Sequence, residues 1–234
     1  MNFSIAGHQY SIELDSNINS ILLYGSYARC ENDELSDIDI LIVNEKDNDK
    51  SYIITDSQGN ALPEKWITVY SKTTIETMKK YTSLFLWHIK LESKFIYKRN
   101  LYLEKVLEDL PEYVNTYDDI YQYKTILKDI KDIVIDNNCT IFYELSLLAS
   151  LIRNLSIAYC YLNGKKCFGR VIPVKHLLKD YPIFTIEDYE KLYVFRSTYN
   201  CYENKQITKI NKSYIEYWIS KTEQIINIVE VTND

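Results

Sequence analysis

Short apolar segments and alternating patterns fill the first hundred residues of the chain. Residues 3–7 and 10–14 alternate apolar and polar side chains around a turn-like GHQ, which predicts a small β-hairpin. The runs ILLY (21–24) and IDILIV (38–43) are continuous and rich in branched apolar residues, so each predicts a buried strand. Two further segments predict short strands, YIITD (52–56) and WITVYS (66–71).

Helical spacing follows the last of these strands. An apolar stripe formed by Leu84, Trp87, His88 and Leu91 recurs at intervals of three and four residues and predicts a helix. After residue 100 glycine and proline almost vanish, and long helical patterns take over. These patterns cover residues 111–136, 139–164, 174–181, 186–202 and 211–230, with Pro111 at a predicted helix start and Gly164 just after a predicted helix end.

The change of period divides the chain into two predicted domains. Residues 1–99 read as a mixed α/β domain with a small sheet, and residues 100–234 read as an all-α helical bundle. We see no internal repeat and no low-complexity linker between them. The second domain is expected to bind an acceptor molecule or a partner.

Composition and charge limit the class of protein. Of the 234 residues, 46% are hydrophobic and 26% are charged, which is typical of a globular protein with a sizeable core. The net charge is −6, which excludes a general polyanion-binding protein. No basic-then-apolar signal pattern starts the chain, and no run reads as long enough to span a bilayer. We therefore expect a cytoplasmic protein without membrane association.

The cysteines and histidines do not predict a disulfide framework or a zinc site. The five cysteines are odd in number and form no CxxC pair, so reduced thiols are expected at Cys30, Cys139, Cys160, Cys167 and Cys201. None of the three histidines lies at metal-ligand spacing from a cysteine.

The stretch GSYARCENDELSDIDILIV carries the candidate chemistry. Gly25 and Ser26 follow a predicted strand and open a predicted helix, with Ser26 at the expected N-cap, so backbone N–H groups could face a phosphate. Asp37 and Asp39 alternate with Ile38 at the start of the next strand and should point to the same side. Two carboxylates beside a phosphate cradle form a hard oxygen site suited to Mg²⁺.

This pattern resembles the signature Gly-Ser-x-Ala/Arg…(Ser/Gly)-Asp-x-Asp of the DNA polymerase β-like nucleotidyltransferase superfamily. The matching positions are Gly25, Ser26, Ala28, Arg29, Ser36, Asp37 and Asp39. Residues 83–99 also resemble the tail of minimal nucleotidyltransferase domains, a helix followed by a short strand, with Ser93 in place of the usual glycine.

The resemblance implies a mixed sheet whose first two acids hold Mg²⁺ and a nucleoside triphosphate, with ATP as the expected nucleotide. It also implies a third acid on a later strand, which helps activate the acceptor hydroxyl. This sequence departs there, because Trp66 stands where we would look for that acid. Glu64 is one candidate for the acceptor base. Glu144, a lone acid in the most apolar helix, is the other.

Two of the motif residues have alternative interpretations. Arg29 is either a ligand of the nucleotide phosphates or a solvated helix charge, with equal weight. Ser36 belongs to the nucleotide-binding motif, and its hydroxyl can also cap the turn that aims Asp37.

The sequence therefore predicts a Mg²⁺-dependent bacterial nucleotidyltransferase. It would move a nucleoside monophosphate from an NTP to a hydroxyl of a small molecule, a protein or a tRNA, and the acidic pI weakens the case for tRNA. The alternative is a catalytically impaired domain that binds nucleotide or protein in a toxin–antitoxin or defence system. A homodimer or a toxin–antitoxin-type partner is compatible with either interpretation.

Overall fold

The structure, a computed structural model, describes residues 1–33, 36–47, 51–136, 141–198 and 212–233. Within these residues the chain forms two compact units, Met1–Tyr113 and Val114–Asp234. Cys30, Cys160 and Cys167 are free thiols, and the predicted thiols at Cys139 and Cys201 lie outside the described residues.

The N-terminal unit is mixed α/β, as predicted. Its elements in chain order are β1 (Asn2–Ile5), β2 (His8–Ile12), β3 (Ile18–Tyr24), α1 (Gly25–Arg29), β4 (Asp39–Asn44), β5 (Ile54–Asp56), β6 (Ile67–Ser71), α2 (Lys72–Lys80), α3 (Leu84–Glu92), β7 (Lys94–Lys98) and α4 (Tyr102–Glu108). The hairpin β1–β2 and both buried strands expected from the apolar runs are present.

A four-stranded sheet with the order β6-β4-β3-β7 forms the centre of this unit. The pairs β3–β4 and β3–β7 are antiparallel, whereas β4 and β6 are parallel. A second sheet with the order β1-β2-β5 is antiparallel. Since β5 belongs to the second sheet, the chain leaves the central sheet after β4 and returns to it at β6.

The two faces of the central sheet are covered differently. On the helix-side face, Leu22, Leu41 and Val43 pack in one core cluster with apolar residues of α2, α3 and α4. On the sheet-side face, Ile40 and Ile42 pack with residues of the second sheet. Strands β3 and β4 are therefore buried on both faces, which explains their continuous apolar sequence.

The C-terminal unit is a helical bundle, as predicted. It comprises α5 (Thr116–Ile135), α6 (Phe142–Leu162), α7 (Ile172–Asp180), α8 (Ile186–Thr198) and α9 (Lys212–Asn233). Its core cluster includes residues of all five helices, and α6 contacts each of the other four. Helix α6 is long and apolar enough to cross a membrane by those two criteria, contrary to our expectation that no run is, but 61% of its apolar stretch is buried in the unit. Such burial is the pattern of a core helix.

Two further boundaries differ from the sequence-based expectations. The first unit extends to Tyr113, beyond the expected boundary at 99/100, because α4 packs its Leu103 and Val106 into the helix-side core. Pro111 does not open a helix, since α5 begins at Thr116. Gly164 does follow the C-cap of α6 with a positive φ of 70°, the predicted left-handed helix end.

Candidate active site

The site motif lies where β3 ends and β4 begins. Tyr24, the last residue of β3, pairs directly with Asp39, the first residue of β4. Asp39 and Leu41 are two residues apart along β4, so their side chains lie on the same face of the sheet. This is the helix-side face, where Tyr24 also packs. The chain turns from β3 into α1 at Gly25, so the turn and Asp39 are immediate neighbours.

Gly25 fits this position for two reasons. Its φ is +71°, in the left-handed region that side chains disfavour. A Cβ added there would lie 3.0 Å from Cγ of Asp39 and closer still to Oδ2, so any larger residue would overlap the carboxylate. The missing side chain therefore leaves room for Asp39 directly against the backbone of the turn.

The two aspartates supply oxygen ligands on one side of the chain. Ile38 between them is buried in the sheet-side core, while Asp37 is exposed and Asp39 is half-buried. A carboxylate pair at a strand end is a donor set that Mg²⁺ prefers. Among the described residues, no group of three or more His, Cys, Asp or Glu side chains is arranged to hold a metal. The fit of this site to a metal ion therefore depends on the two aspartates.

The two serines of the motif have local positions that the structure defines. Ser26 was expected at the N-cap of α1, but Tyr24 takes that place and Ser26 lies in the first turn. Gly25, with its positive φ, stands between the N-cap Tyr24 and Ser26. Ser36 accepts a hydrogen bond from the N–H of Asp33 at 3.0 Å and donates one to its carboxylate at 2.8 Å, which supports the turn-capping interpretation.

A hydroxyl lies on the helix-side face of β6, the strand beside β4. In the parallel register of β4 and β6, Leu41 pairs with Thr68, so Thr68 also faces the helix side. Its Oγ1 lies 3.2 Å from the hydroxyl oxygen of Tyr24, which confirms the shared face. Trp66 lies in a short 3-10 helix before β6 and packs against the sheet-side core. Thr68 is therefore the first residue of β6 on the face that Asp39 shares.

The pKa of the Tyr24 hydroxyl reflects its surroundings in the site. Burial is the main cause that raises the pKa of its hydroxyl, and the negative charge of Asp39 raises it further, while the hydrogen bond with Thr68 acts in the opposite direction. The tyrosine therefore stays protonated at neutral pH beside the carboxylate.

Arg29 is engaged by two carboxylates. Its Nε lies 2.7 Å from Glu31, and its Nη1 lies 2.8 Å from Glu92 at the end of α3. Neither interpretation from the sequence, a phosphate ligand or a solvated charge, anticipated this pairing. Glu92 also lies 3.2 Å from Nε2 of His88, one helical turn earlier.

The comparison with known families decides the class of this unit. The family described as Polymerase beta, Nucleotidyltransferase matches residues 10–102, from β2 to the start of α4. Residues 10–102 form a polymerase β-type nucleotidyltransferase domain. The predicted family and enzyme class are thereby confirmed for the N-terminal unit, and the helical bundle lies outside the match.

Solved structures with a similar fold are distant in sequence. A spectinomycin adenyltransferase from Enterococcus faecialis, solved with ATP and spectinomycin, has 17% identity and a TM-score of 0.47, covering 90% of this chain and 93% of its own. A nucleotidyltransferase-like protein from Exiguobacterium sibiricum has 10% identity and a TM-score of 0.40, covering 93% of this chain and 71% of its own. No curated protein sequence matches significantly. Neither likeness assigns a substrate to this chain.

The two predicted base candidates lie in different units. Glu64 is exposed in the 3-10 helix before β6 of the nucleotidyltransferase domain and accepts a long, 3.4 Å hydrogen bond from Ser51. Glu144 lies in the first turn of α6 and is only 3% exposed. An acid in the first turn is favoured by the helix dipole, which gives Glu144 a structural reason to be there. Both remain predictions for the acceptor base.

Proposed function

We propose that the protein catalyses Mg²⁺-dependent transfer of a nucleoside monophosphate from an NTP to a hydroxyl group. The observation that carries the proposal is the juxtaposition of Gly25 and Asp39 in a polymerase β-type domain, with Asp37 two residues away. A turn without a side chain, set against the Asp39 carboxylate, suits a metal-bound triphosphate.

The residues of this site have separate tasks in the reaction. Gly25 and Ser26 leave the backbone open to the triphosphate, and Asp37 and Asp39 hold the metal. Bound Mg²⁺ supplies charge neutralisation to the phosphate oxygens. The acceptor oxygen bonds to the α-phosphorus as the bond from that phosphorus to the pyrophosphate oxygen breaks. The hydroxyl proton passes to a general base, for which Glu64 and Glu144 are the candidates.

The preferred substrates follow from charge and resemblance. ATP is the proposed donor. A small molecule is the proposed acceptor, because a net charge of −6 disfavours a polyanion such as tRNA. A protein acceptor is the next choice. We also place the protein in the bacterial cytoplasm, acting as a monomer or a homodimer.

Labelled nucleotides test the reaction and the acceptor class together. Each of the four α-labelled NTPs is incubated with Mg²⁺, the protein and a cell extract. We expect the wild type to label a small molecule, most strongly from ATP, and Asp37→Asn/Asp39→Asn to label nothing. Asp129→Asn, an exposed acid in α5, is the matched control and should transfer like the wild type.

A second candidate function is favoured by Thr68. This residue presents a hydroxyl on the Asp39 face of the neighbouring strand, where the resemblance implies an acid. A domain with two acids could bind Mg²⁺ and nucleotide without transfer, as a binding module of a toxin–antitoxin or defence system. Calorimetric binding of Mg·ATP, with no label transferred and pyrophosphate at background, would favour that function over the enzyme.

A further inference from the structure

Helix α1 carries the active-site turn and is only five residues long. A helix of this length is unstable by itself, because one or two hydrogen-bonded turns do not repay the cost of nucleation. Its position must therefore be fixed by contacts with other elements. Ala28 packs in the sheet-side core, and α1 also contacts β3, β4 and α3. The contacts with α3 are the ones that reach both ends of the turn.

The first contact holds the end of α1. Arg29, its last residue, forms a 2.8 Å ion pair with Glu92, the last residue of α3. The side chains of Arg29 and Glu92 are only 15% and 14% exposed, whereas Glu31, the other partner of Arg29, is 45% exposed. A shielded ion pair is screened less by water and salt than an exposed one, so the Glu92 pair should be the stronger of the two.

The second contact holds the start of α1. The ring of His88 meets the ring of Tyr24 edge to face, with centroids 5.7 Å apart. Tyr24 immediately precedes Gly25, pairs with Asp39 and reaches Thr68 on β6. His88 itself lies 3.2 Å from the Glu92 oxygen that binds Arg29. Glu92 is therefore shared between the contacts at the two ends of α1.

We propose that Arg29, Glu92 and His88 are positioning residues of the nucleotidyl transfer, with Glu92 at the centre. They fix α1 against α3 and so hold Gly25 and Asp39 in register for the metal-bound nucleotide. This inference rests on the proposed function. It also assigns Arg29 a role other than phosphate binding, because its guanidinium faces two carboxylates, and a carboxylate as close as 2.8 Å would repel an incoming phosphate.

Glu92→Gln separates positioning from phosphate binding by the direction of its effect. If Arg29 positions the turn, the loss of the Glu92 charge releases α1, and kcat/KM for Mg·ATP falls by about 10²-fold, the penalty of misplaced reacting groups. If Arg29 binds phosphate, the same change frees the guanidinium, so KM for Mg·ATP stays constant or falls. Glu31→Gln, which removes only the exposed partner, is the matched control and should change kcat/KM less than about threefold.

A double-mutant cycle and hydrogen exchange complete the test. Arg29→Gln with Glu92→Gln should lose no more activity than either single variant, because both remove the same link. Amide exchange at residues 25–29 should accelerate in Glu92→Gln, while residues of the helical bundle keep their protection. Arg29→Lys keeps the positive charge but lacks the planar guanidinium that can bind two carboxylates. It should therefore retain part of the activity that Arg29→Gln loses.

The outcomes distinguish this inference from the proposed function. An active wild type with Glu92→Gln equal to it, or additive losses in the cycle, would overturn the positioning role alone. A wild type without transfer would overturn the enzyme function. In that case Mg·ATP affinity replaces kcat/KM as the readout, and the inference stands only if Glu92→Gln weakens binding and Glu31→Gln does not.

Discussion

The two units of this protein bury their polar groups in different ways. In the nucleotidyltransferase domain, several buried polar side chains bond to other side chains, some of them far away in the sequence. Asn19 donates to Glu45 at 2.6 Å and to Asn100 at 3.2 Å, and Tyr52 donates to Asn44 at 2.9 Å. In the bundle, the buried hydroxyls of Ser156 and Thr222 donate to carbonyls four residues earlier in their own helices.

Helix starts differ in how they are capped. Ser71 accepts a hydrogen bond from Thr74 N–H at the start of α2, and Ser83 accepts one from Phe85 N–H at the start of α3. In the bundle, Thr185 accepts one from Asp188 N–H at the start of α8. Helices α5, α6 and α7 begin without a side-chain cap, as do α1 and α4 of the nucleotidyltransferase domain. The five helices of the bundle share one large apolar core. The nucleotidyltransferase domain is tied by directional contacts, which a phosphate and metal site requires.

Replacing the acceptor base should give the largest effect and shows which unit supplies it. We expect either Glu64→Gln or Glu144→Gln, and not both, to lower kcat by about 10²–10⁴-fold, because a single general base is sufficient. Rapid-quench transfer assays measure this loss. If neither variant loses activity, both candidates are wrong and the base is another group.

The melting temperature of Glu144→Gln distinguishes a catalytic role of Glu144 from a structural one. As an acid in the first turn of α6, Glu144 should contribute about 0.3–1 kcal/mol through the helix dipole. Glu64 is exposed in a 3-10 helix, so its Gln variant should melt like the wild type. A lower melting temperature for Glu144→Gln with unchanged kcat would assign this residue to the fold.

Truncating the bundle core should affect stability and leave the site chemistry intact. Leu148 is fully buried in α6, so Leu148→Ala should lower the free energy of unfolding by about 2–5 kcal/mol. Urea unfolding followed by Trp218 fluorescence reports on this unit. Val231→Ala, at a residue 77% exposed, is the control and should have almost no effect. Loss of transfer by folded Leu148→Ala, with Glu144→Gln fully active, would contradict the division between the units.

Two glycines with similar backbone angles allow a matched test of the site. Gly25 and Gly59 have φ of +71° and +86°, so alanine at either should cost about 1–2 kcal/mol of stability. Only at Gly25 does the added Cβ meet Asp39; at Gly59 nothing lies within 4 Å. We therefore expect about 10²-fold slower transfer from Gly25→Ala and normal transfer from Gly59→Ala. Equal activities would show that the contact with Asp39 does not matter.

Removing a serine cap should have the smallest effect. Ser71→Ala should destabilise the nucleotidyltransferase domain by about 1 kcal/mol, since the Thr74 N–H loses its acceptor. Thermal unfolding measures the change. Asn115→Ala, at an N-cap without a side-chain hydrogen bond, should cost less. The reverse order would contradict the contrast in helix starts.

Local sequence patterns predicted most elements because those elements depend on near neighbours. The apolar runs located β3 and β4, and the pair of aspartates with Gly25 indicated the candidate site. The register of β6 could not be derived from the sequence, because it depends on pairing Ile67 with Ile40 across a segment that belongs to another sheet. The hydroxyl of Thr68 on the Asp39 face was therefore not predicted.

The partner of Arg29 could not be predicted for a related reason. Glu92 is 63 residues away in sequence, so no local pattern joins the two. The only signal was the spacing of His88 and Glu92, one turn apart on α3, which is also common on ordinary helix surfaces. The roles of Asp37, Asp39, Glu64 and Glu144 stay predictions until the variants are measured.

The order of strands also has a consequence for synthesis on the ribosome. Strand β3 lies between β4 and β7, and its residue Ser20 pairs with Lys98. During translation, β3 therefore keeps one open edge until residues 94–98 have emerged, long after the aspartates are exposed. An open, apolar strand edge can pair with another chain. The pairing of β3 with β7 also forms slowly, because the two strands are distant in the sequence. A nascent chain paused before β7 should need chaperone protection and should not yet bind nucleotide.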